Sequence, residues 1–233
     1  MSRKLYTSKY PIFAVAVDLV VLTIRDGVFS VLLVRRGGDT HAGEWALPGG
    51  FVGEQEDLIE AAYRELEEET GVGGERVHLE QLATYGHPDR DPRQRVVSVA
   101  HVAVGSGMTE DLVGGSDAVD ARWWSVGEAL AADLAFDHHE ILRDGVERAR
   151  SRIEYTDLAL SFCEERFTLP ELQRVYEAIW GRELDTRNFV RKVTRTRDFV
   201  RETGEEQRGG RGRPAKVYVA GGATSLVPPM TRD

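Results

Sequence analysis

Cysteine is almost missing from this chain: Cys163 stands alone among 233 residues. A single thiol excludes an internal disulfide and fits a reducing compartment. Its neighbours Leu160 and Phe162 point to a buried structural thiol without a catalytic role. Long hydrophobic runs are missing as well. The nearest, Pro11 to Ile24, is interrupted by Asp18, and a bilayer span needs about 20 apolar residues. Hydrophobic residues resume at Val28 to Val34 after Arg25-Asp26-Gly27, a hairpin turn signal, so two strands are expected instead. No signal-peptide cleavage pattern is present. These absences lead us to expect a cytoplasmic protein with no membrane partner.

What is present is charge, unevenly placed. Net charge is −9. Residues 166–216 nevertheless carry thirteen Lys or Arg against eight Asp or Glu, a net +5, which leaves −14 elsewhere. An acidic domain joined to a basic one is expected.

Gly50, Glu56, Arg64, Glu65, Leu66, Glu68, Glu69, Gly71 and Val72 form one spaced pattern in the acidic region. On a helix over residues 57–70, at about 100° per residue, Glu65, Glu68 and Glu69 share one face. Ile59, Ala62, Tyr63, Leu66 and Thr70 follow helical spacing on a neighbouring face expected to pack on the core. Like charges at i and i+4 cost a helix roughly 0.2–0.5 kcal/mol per pair. A divalent cation would convert that repulsion into affinity, because hard cations take carboxylate oxygens. The alternative is a solvated acidic face. The punctuation argues against it: Pro48-Gly49-Gly50 permits close backbone approach, Gly71 suits a helix C-cap, and Arg64 is suited to pair with Glu56 or a helix carboxylate.

At these residues the chain resembles the Nudix hydrolases. The resemblance implies an α/β/α sandwich with a mixed sheet, and Mg²⁺ or Mn²⁺ held by Glu65, Glu68 and Glu69. It implies cleavage of a nucleoside diphosphate linked to another group, with Arg64 and Glu56 orienting the carboxylates and Gly49 and Gly50 admitting the ligand. Arg36, Arg90, Arg93 and Arg95 are candidate phosphate or ribose contacts, since guanidinium suits phosphate oxygens; each could equally be a surface arginine. The general base is left open between a box glutamate and Glu110, Asp111 or Asp117. His87 and His139 invite catalytic roles, and Tyr85, Trp45 and Trp123 invite adenine stacking. Structural histidines and core aromatics are the plainer reading of those five.

Strands are expected at 12–24, 28–36, 45–52, 77–85, 96–104 and near 121–124, with helices at 126–132 and 138–154. The grammar then changes. Thr168-Leu-Pro-Glu171 is a capping box, followed by an apolar face of Leu172, Val175, Tyr176 and Ile179 and a stop at Gly181. Asp185 can cap a second helix to about Thr196, which leaves Arg187, Asn188, Arg191, Lys192 and Arg195 outside. Two strands, Phe199–Glu202 and Lys216–Val219, flank an Arg- and Gly-rich tip containing Arg211 and Arg213. This resembles a winged helix-turn-helix, whose second helix enters the major groove. The basic residues of that helix, with Arg211, Arg213 and Lys216, would contact DNA. The alternative is a small winged domain used for docking.

A complete Nudix box followed by a basic winged helix resembles the Nudix-related transcriptional regulators of bacterial NAD metabolism. Arg90-Asp91-Pro92-Arg93, Phe136-Asp137-His138-His139-Glu140 and Phe167-Thr-Leu-Pro-Glu-Leu172 support it. The resemblance implies ADP-ribose or a related nucleotide as ligand, a double-stranded DNA operator as partner, a homodimer, and association with the bacterial nucleoid when DNA is bound. The expected organisation is a Nudix domain at 1–155, a winged helix at 156–222 and a flexible tail at 223–233. Two alternatives accompany this reading: a ligand-sensing repressor without hydrolysis, and a housekeeping pyrophosphatase whose second domain serves assembly.

Overall fold

Two long strands, Ala14–Arg25 (β1) and Val28–Arg36 (β2), open the fold. Asp26 and Gly27 join them with φ of 49° and 77°, the two positive values that match a primed hairpin turn to strand twist. The expected strand over 45–52 is split into Trp45–Ala46 (β3) and Gly49–Phe51 (β4). The reason lies at the break. Leu47 donates its N–H to His138 Nδ1 at 2.9 Å, and Pro48 has no N–H to offer a ladder. Helix Leu58–Thr70 (α1) follows, then His78–Tyr85 (β5), Val96–Val104 (β6) and Ala118–Ser125 (β7). The computed structural model describes residues 9–70, 77–108, 118–207 and 214–232. Gly71, Val72, Glu110, Asp111, Asp117, Arg211 and Arg213 therefore lie outside the described residues.

The strand order is β3-β2-β1-β6-β5, with β4 also on β1 and β7 on β2. β1 and β6 run parallel and the other pairs antiparallel, so the sheet is mixed, as expected. Successive β1 residues point to opposite faces. Leu19 and Val21 pack with Ala62 and Leu66 of α1. Val20 and Leu22 pack with Ile141, Leu142 and Val146 of helix His138–Tyr155 (α3), which follows the short helix Val126–Ala131 (α2).

The apolar face expected on α1 holds at Ala62 and Leu66 and fails at Ile59 and Tyr63. Ile59 and Tyr63 are exposed, at 41% and 37%, whereas Ala61, Ala62, Leu66, Glu65 and Glu69 are buried. The helix is rolled so that Ala62 and Leu66 of the expected face meet the sheet while Ile59 and Tyr63 do not. That roll carries two glutamates inward.

A short 3-10 helix, Asp157–Phe162, leads to strand Phe167–Thr168 (β8) and helix Leu169–Trp180 (α4). The capping box is present in full: Thr168 Oγ1 accepts from Glu171 N–H, and the Glu171 carboxylate accepts from Thr168 N–H at 2.7 Å. Such a cap contributes about 1 kcal/mol. Gly181, at φ 68°, ends the helix in the left-handed conformation. Asp185 caps helix Thr186–Arg195 (α5) by accepting from Asn188 N–H at 2.8 Å. Strands Val200–Gln207 (β9) and Ala215–Ala220 (β10) form a three-stranded sheet with β8.

Residues 223–232 depart from the flexible tail expected of them. Leu226 and Met230 are buried at 3% and 2% exposure. Leu226 N–H donates to Tyr155 O, and Met230 N–H to Glu154 O, both at 2.8 Å. Arg232 pairs with Glu147 and Glu154 on α3. Apolar spacing that is too sparse for a helix or strand still supplied two anchors to the core.

Candidate functional site

Glu65 of α1 lies against the backbone of β4. A Cβ placed on Gly50 would sit 2.0 Å from Glu65 Oε1, so only glycine lets this carboxylate approach. The neighbouring Gly49 acts likewise, since a Cβ there would sit 2.3 Å from Val17 O of β1. These glycines therefore make room for protein groups, in addition to any ligand.

Arg64 ties the acidic residues together. Its Nε donates to Glu56 Oε1 at 2.7 Å and its Nη1 to Glu65 Oε1 at 2.6 Å, and Glu68 lies 3.6 Å away. Hydrogen bonds from Arg64 and from Gly53 N–H hold the Glu56 carboxyl at a pKa of about 2. Burial pushes the Glu65 carboxyl up from its usual range, and the Arg64 hydrogen bond works against that rise. Glu65 and Glu69 are buried, while Glu68 is largely exposed.

These side chains line a cavity of about 210 Å³, together with Arg36, Arg93, Phe51 and Phe136. A larger cleft of about 610 Å³ opens between the β1–β2 turn and α4, but the carboxylates do not face it. Among the described residues no three acidic, histidine or cysteine side chains already lie within reach of a single cation. The donor set still fits a hard divalent cation. It offers carboxylate oxygens only, two of its members are buried at the cavity, and one has its proton affinity raised by burial.

Of the four candidate arginines, the structure brings Arg36 and Arg93 to the cavity and not the other two. Arg90 is buried and spent on protein carboxylates: it reaches Asp137 at 2.7 Å and Asp18 at 3.0 Å. A cation at 8% exposure needs such partners. Arg95 donates to Gly86 O at 2.7 Å and His87 O at 3.0 Å, which fastens the loop. His87 and His139 are both exposed, and His139 lies 2.9 Å from Leu130 O. Trp45 stacks edge-on against Trp124, Tyr85 donates to Asp144 at 3.0 Å, and Arg25 covers the Trp123 ring at 5.4 Å. All five stand apart from the cavity lining.

Sequence reasoning missed Asp18, Asp91, Phe136 and His138, all of which line the cavity. Asp18 left a trace, as the one carboxylate inside an apolar strand. It accepts from Ser98 Oγ at 2.5 Å and lies 3.4 Å from His138 Nε2. Burial lowers the pKa of His138, so the ring is neutral near pH 7. Its Nδ1 accepts from Leu47 N–H, which leaves the proton on Nε2, toward Asp18.

The second surface is basic. On α5, Arg187, Asn188, Arg191 and Arg195 are exposed and Lys192 is half-buried, while Phe189 and Val193 face the core. Arg191 Nη2 donates to Asn188 Oδ1 at 2.7 Å. The described part of the hairpin sets acidic partners beside its basic residues. Lys216 pairs with Glu202 at 2.9 Å, and Arg166 pairs with Glu205. β9 itself carries Glu202, Glu205 and Glu206.

A mixed α/β sandwich with an acidic helix, followed by a capped helix pair and a hairpin sheet, defines a protein that joins a cavity lined by carboxylates and arginines to a basic helix. Family models agree on both regions. The NUDIX domain model matches residues 13–145, and the NrtR DNA-binding winged helix domain model matches residues 159–220. The chain is 35% identical over 214 residues to the ADPR responsive transcriptional repressor NtrR of Acinetobacter baylyi, covering 91% of this chain and 83% of that protein. It is 37% identical over 145 residues to the ADP-ribose pyrophosphatase of Methanocaldococcus jannaschii, covering 61% of this chain and 80% of that one. The crystal structure of Shewanella oneidensis NrtR complexed with a 27mer DNA superposes with a TM-score of 0.77 at 35% identity, over 88% of this chain and 93% of that one. The chain belongs to the Nudix family, in its branch of NrtR-like transcriptional regulators carrying a C-terminal winged helix.

Proposed function

We propose that this protein is an ADP-ribose-responsive transcriptional repressor whose Nudix domain also hydrolyses its ligand. One observation carries the reading: an intact acidic cluster, braced by Arg64, shares a chain with an exposed basic helix. Glu65, Glu68 and Glu69 would hold Mg²⁺ or Mn²⁺. When bound, such an ion polarises phosphoryl oxygens and lowers the pKa of a water. The protein's own contribution is positional. Arg64 fixes Glu56 and Glu65, and Arg36 and Arg93 present guanidinium to a diphosphate. Products from ADP-ribose would be AMP and ribose 5-phosphate. Arg187, Asn188, Arg191, Lys192 and Arg195 would meet DNA, with Arg211, Arg213 and Lys216 on the wing.

Regulation requires that the ligand bind the DNA-competent and DNA-incompetent states unequally. α3 supplies a physical link. It begins at the cavity with His138 and ends where Ile153 O accepts from Tyr176 OH of α4 at 3.0 Å. A homodimer fits the exposed apolar side chains where β1 begins and β4 ends: Ile12, Phe13, Val15 and Phe51. A molar mass by light scattering equal to that of a single chain would remove the dimer from the reading.

A second reading, a sensor without turnover, is favoured by the Arg64–Glu65 pair, which already occupies a carboxylate assigned to the cation. A gel-shift titration with ADP-ribose, with and without EDTA and with products followed by chromatography, separates the two. Release of DNA with AMP formed supports the repressor-hydrolase. Release without product leaves the sensor. Turnover with no DNA binding at any promoter leaves a pyrophosphatase whose second domain serves assembly.

A further inference from the structure

Phe136 is the residue that neither the acidic box nor the basic helix accounts for. It sits between α2 and the start of α3 with φ of 56°. Bulky side chains rarely adopt this left-handed region, and such outliers persist where surrounding structure holds them. The Phe136 ring lines the cavity. The Arg36 guanidinium lies 4.8 Å from its centroid and the Arg93 guanidinium 5.6 Å. Arg93 is also 5.5 Å from the Phe51 ring, so two aromatic rings bracket one cation. Asp91 completes the setting by accepting from Arg93 Nε and Nη2 at 3.0 and 2.7 Å. His41 meets the Phe136 ring edge-on at 4.4 Å.

We infer that Phe136 is a positioning residue: its ring fixes the planes of Arg36 and Arg93 so that N–H groups other than those given to Thr40 O (Arg36 Nε) and to Asp91 (Arg93 Nε and Nη2) recognise the phosphate groups of a nucleoside diphosphate. A guanidinium stacked on a ring keeps its in-plane donors for oxygen acceptors while losing rotational freedom. Two such cations, one from β2 and one from the loop before β6, meet at this shared ring, with Arg36 Nε also donating to Thr40 O at 3.0 Å and Arg93 held by Asp91. With cations and His41 around it, Phe136 organises charge and does not act as a platform for the base. The inference rests on the assignment of this cavity to a nucleoside diphosphate.

The test uses full-length protein and calorimetric titration with ADP-ribose and, separately, inorganic pyrophosphate. Phe136→Leu keeps bulk and removes the π face; Phe136→Trp restores it. Arginine Nε–Hε NMR signals report side-chain order without ligand. Expected are about tenfold weaker binding of both ligands by Phe136→Leu, recovery in Phe136→Trp, and averaged Arg36 and Arg93 signals in the leucine variant only. Parent-like affinity and parent-like arginine signals in a folded Phe136→Leu overturn the inference. Should Phe136→Leu not fold, the tryptophan variant decides: ordered arginine signals with parent affinity support the role, and disordered ones overturn it. If the parent binds pyrophosphate but not ADP-ribose, the ligand assignment fails while the Phe136 role is judged on pyrophosphate. Binding of neither ligand by the parent overturns both.

Discussion

Helices α1 and α5 carry opposite charge, and they present it in opposite ways. On α1, Glu65 and Glu69 are buried and Arg64 braces Glu65 from the side. On α5 the arginines stand in solvent, with an internal hydrogen bond from Arg191 to Asn188. The difference follows from what each helix would hold. A small, hard cation and a diphosphate need few groups at fixed positions in a partly dry site, where electrostatic terms are large. A DNA duplex is a long polyanion, recognised by many exposed charges that are screened by salt. On the proposed reading, burial of Glu65 and Glu69 suits a site for chemistry, and exposure of the α5 arginines suits a surface for the polymer.

The sharpest way to break this contrast is Glu69→Gln. It removes charge at a buried carboxylate, so hydrolysis of ADP-ribose should fall by roughly 100-fold or more while the fold is kept. Parent turnover in that variant would mean that the acidic helix is not the reactive surface. Next is the segment that runs from the hairpin sheet back to α3. Met230→Ala empties a core position at 2% exposure and should cost about 2–5 kcal/mol in urea unfolding. A change within about 0.5 kcal/mol would show that residues 223–232 do not stabilise the fold.

Arg191→Ala should weaken operator binding by about 1–3 kcal/mol if the side chain reads a base edge; if it meets a phosphate, the salt slope should drop by about one. Affinity that stays flat between low and moderate salt would contradict the polymer half of the comparison. The smallest effect is a pH dependence. The Glu56 pKa is depressed from 4.5 to about 2 by Arg64, so its pairing contributes stability that is complete above about pH 4.5 and lost as pH falls through 2. The gap in Tm between the parent and Glu56→Gln should shrink across that interval. A gap that is constant with pH would detach Glu56 from Arg64.

Much of this was legible in the order of residues. The α1 span, the hairpin at Asp26-Gly27, the box from Thr168 to Glu171 and the Asp185 cap are set by neighbours within four residues, and local spacing carries them. The misread features depend on contacts made elsewhere. Ile59 and Tyr63 keep helical period with Ala62 and Leu66, yet only Ala62 and Leu66 of these four are buried against the sheet. Arg90 looked like a ligand contact because Asp18 and Asp137 lie 72 and 47 residues away. Leu226 and Met230 sit in a stretch without period, so nothing local announced their burial. Phe136 was visible only as a letter in a familiar stretch.

The order of elements, the placement of three glutamates along one side of α1 and the separation of negative from positive charge were determined by the chain's own spacing, because backbone period and capping act over one or two turns. Which faces turn inward was decided by the folded molecule: which arginines reach the cavity, that Gly50 admits Glu65, and that the C-terminal residues return to α3. Those outcomes depend on which surfaces meet across long stretches of chain, and burial, pairing and pKa exist only after they have met.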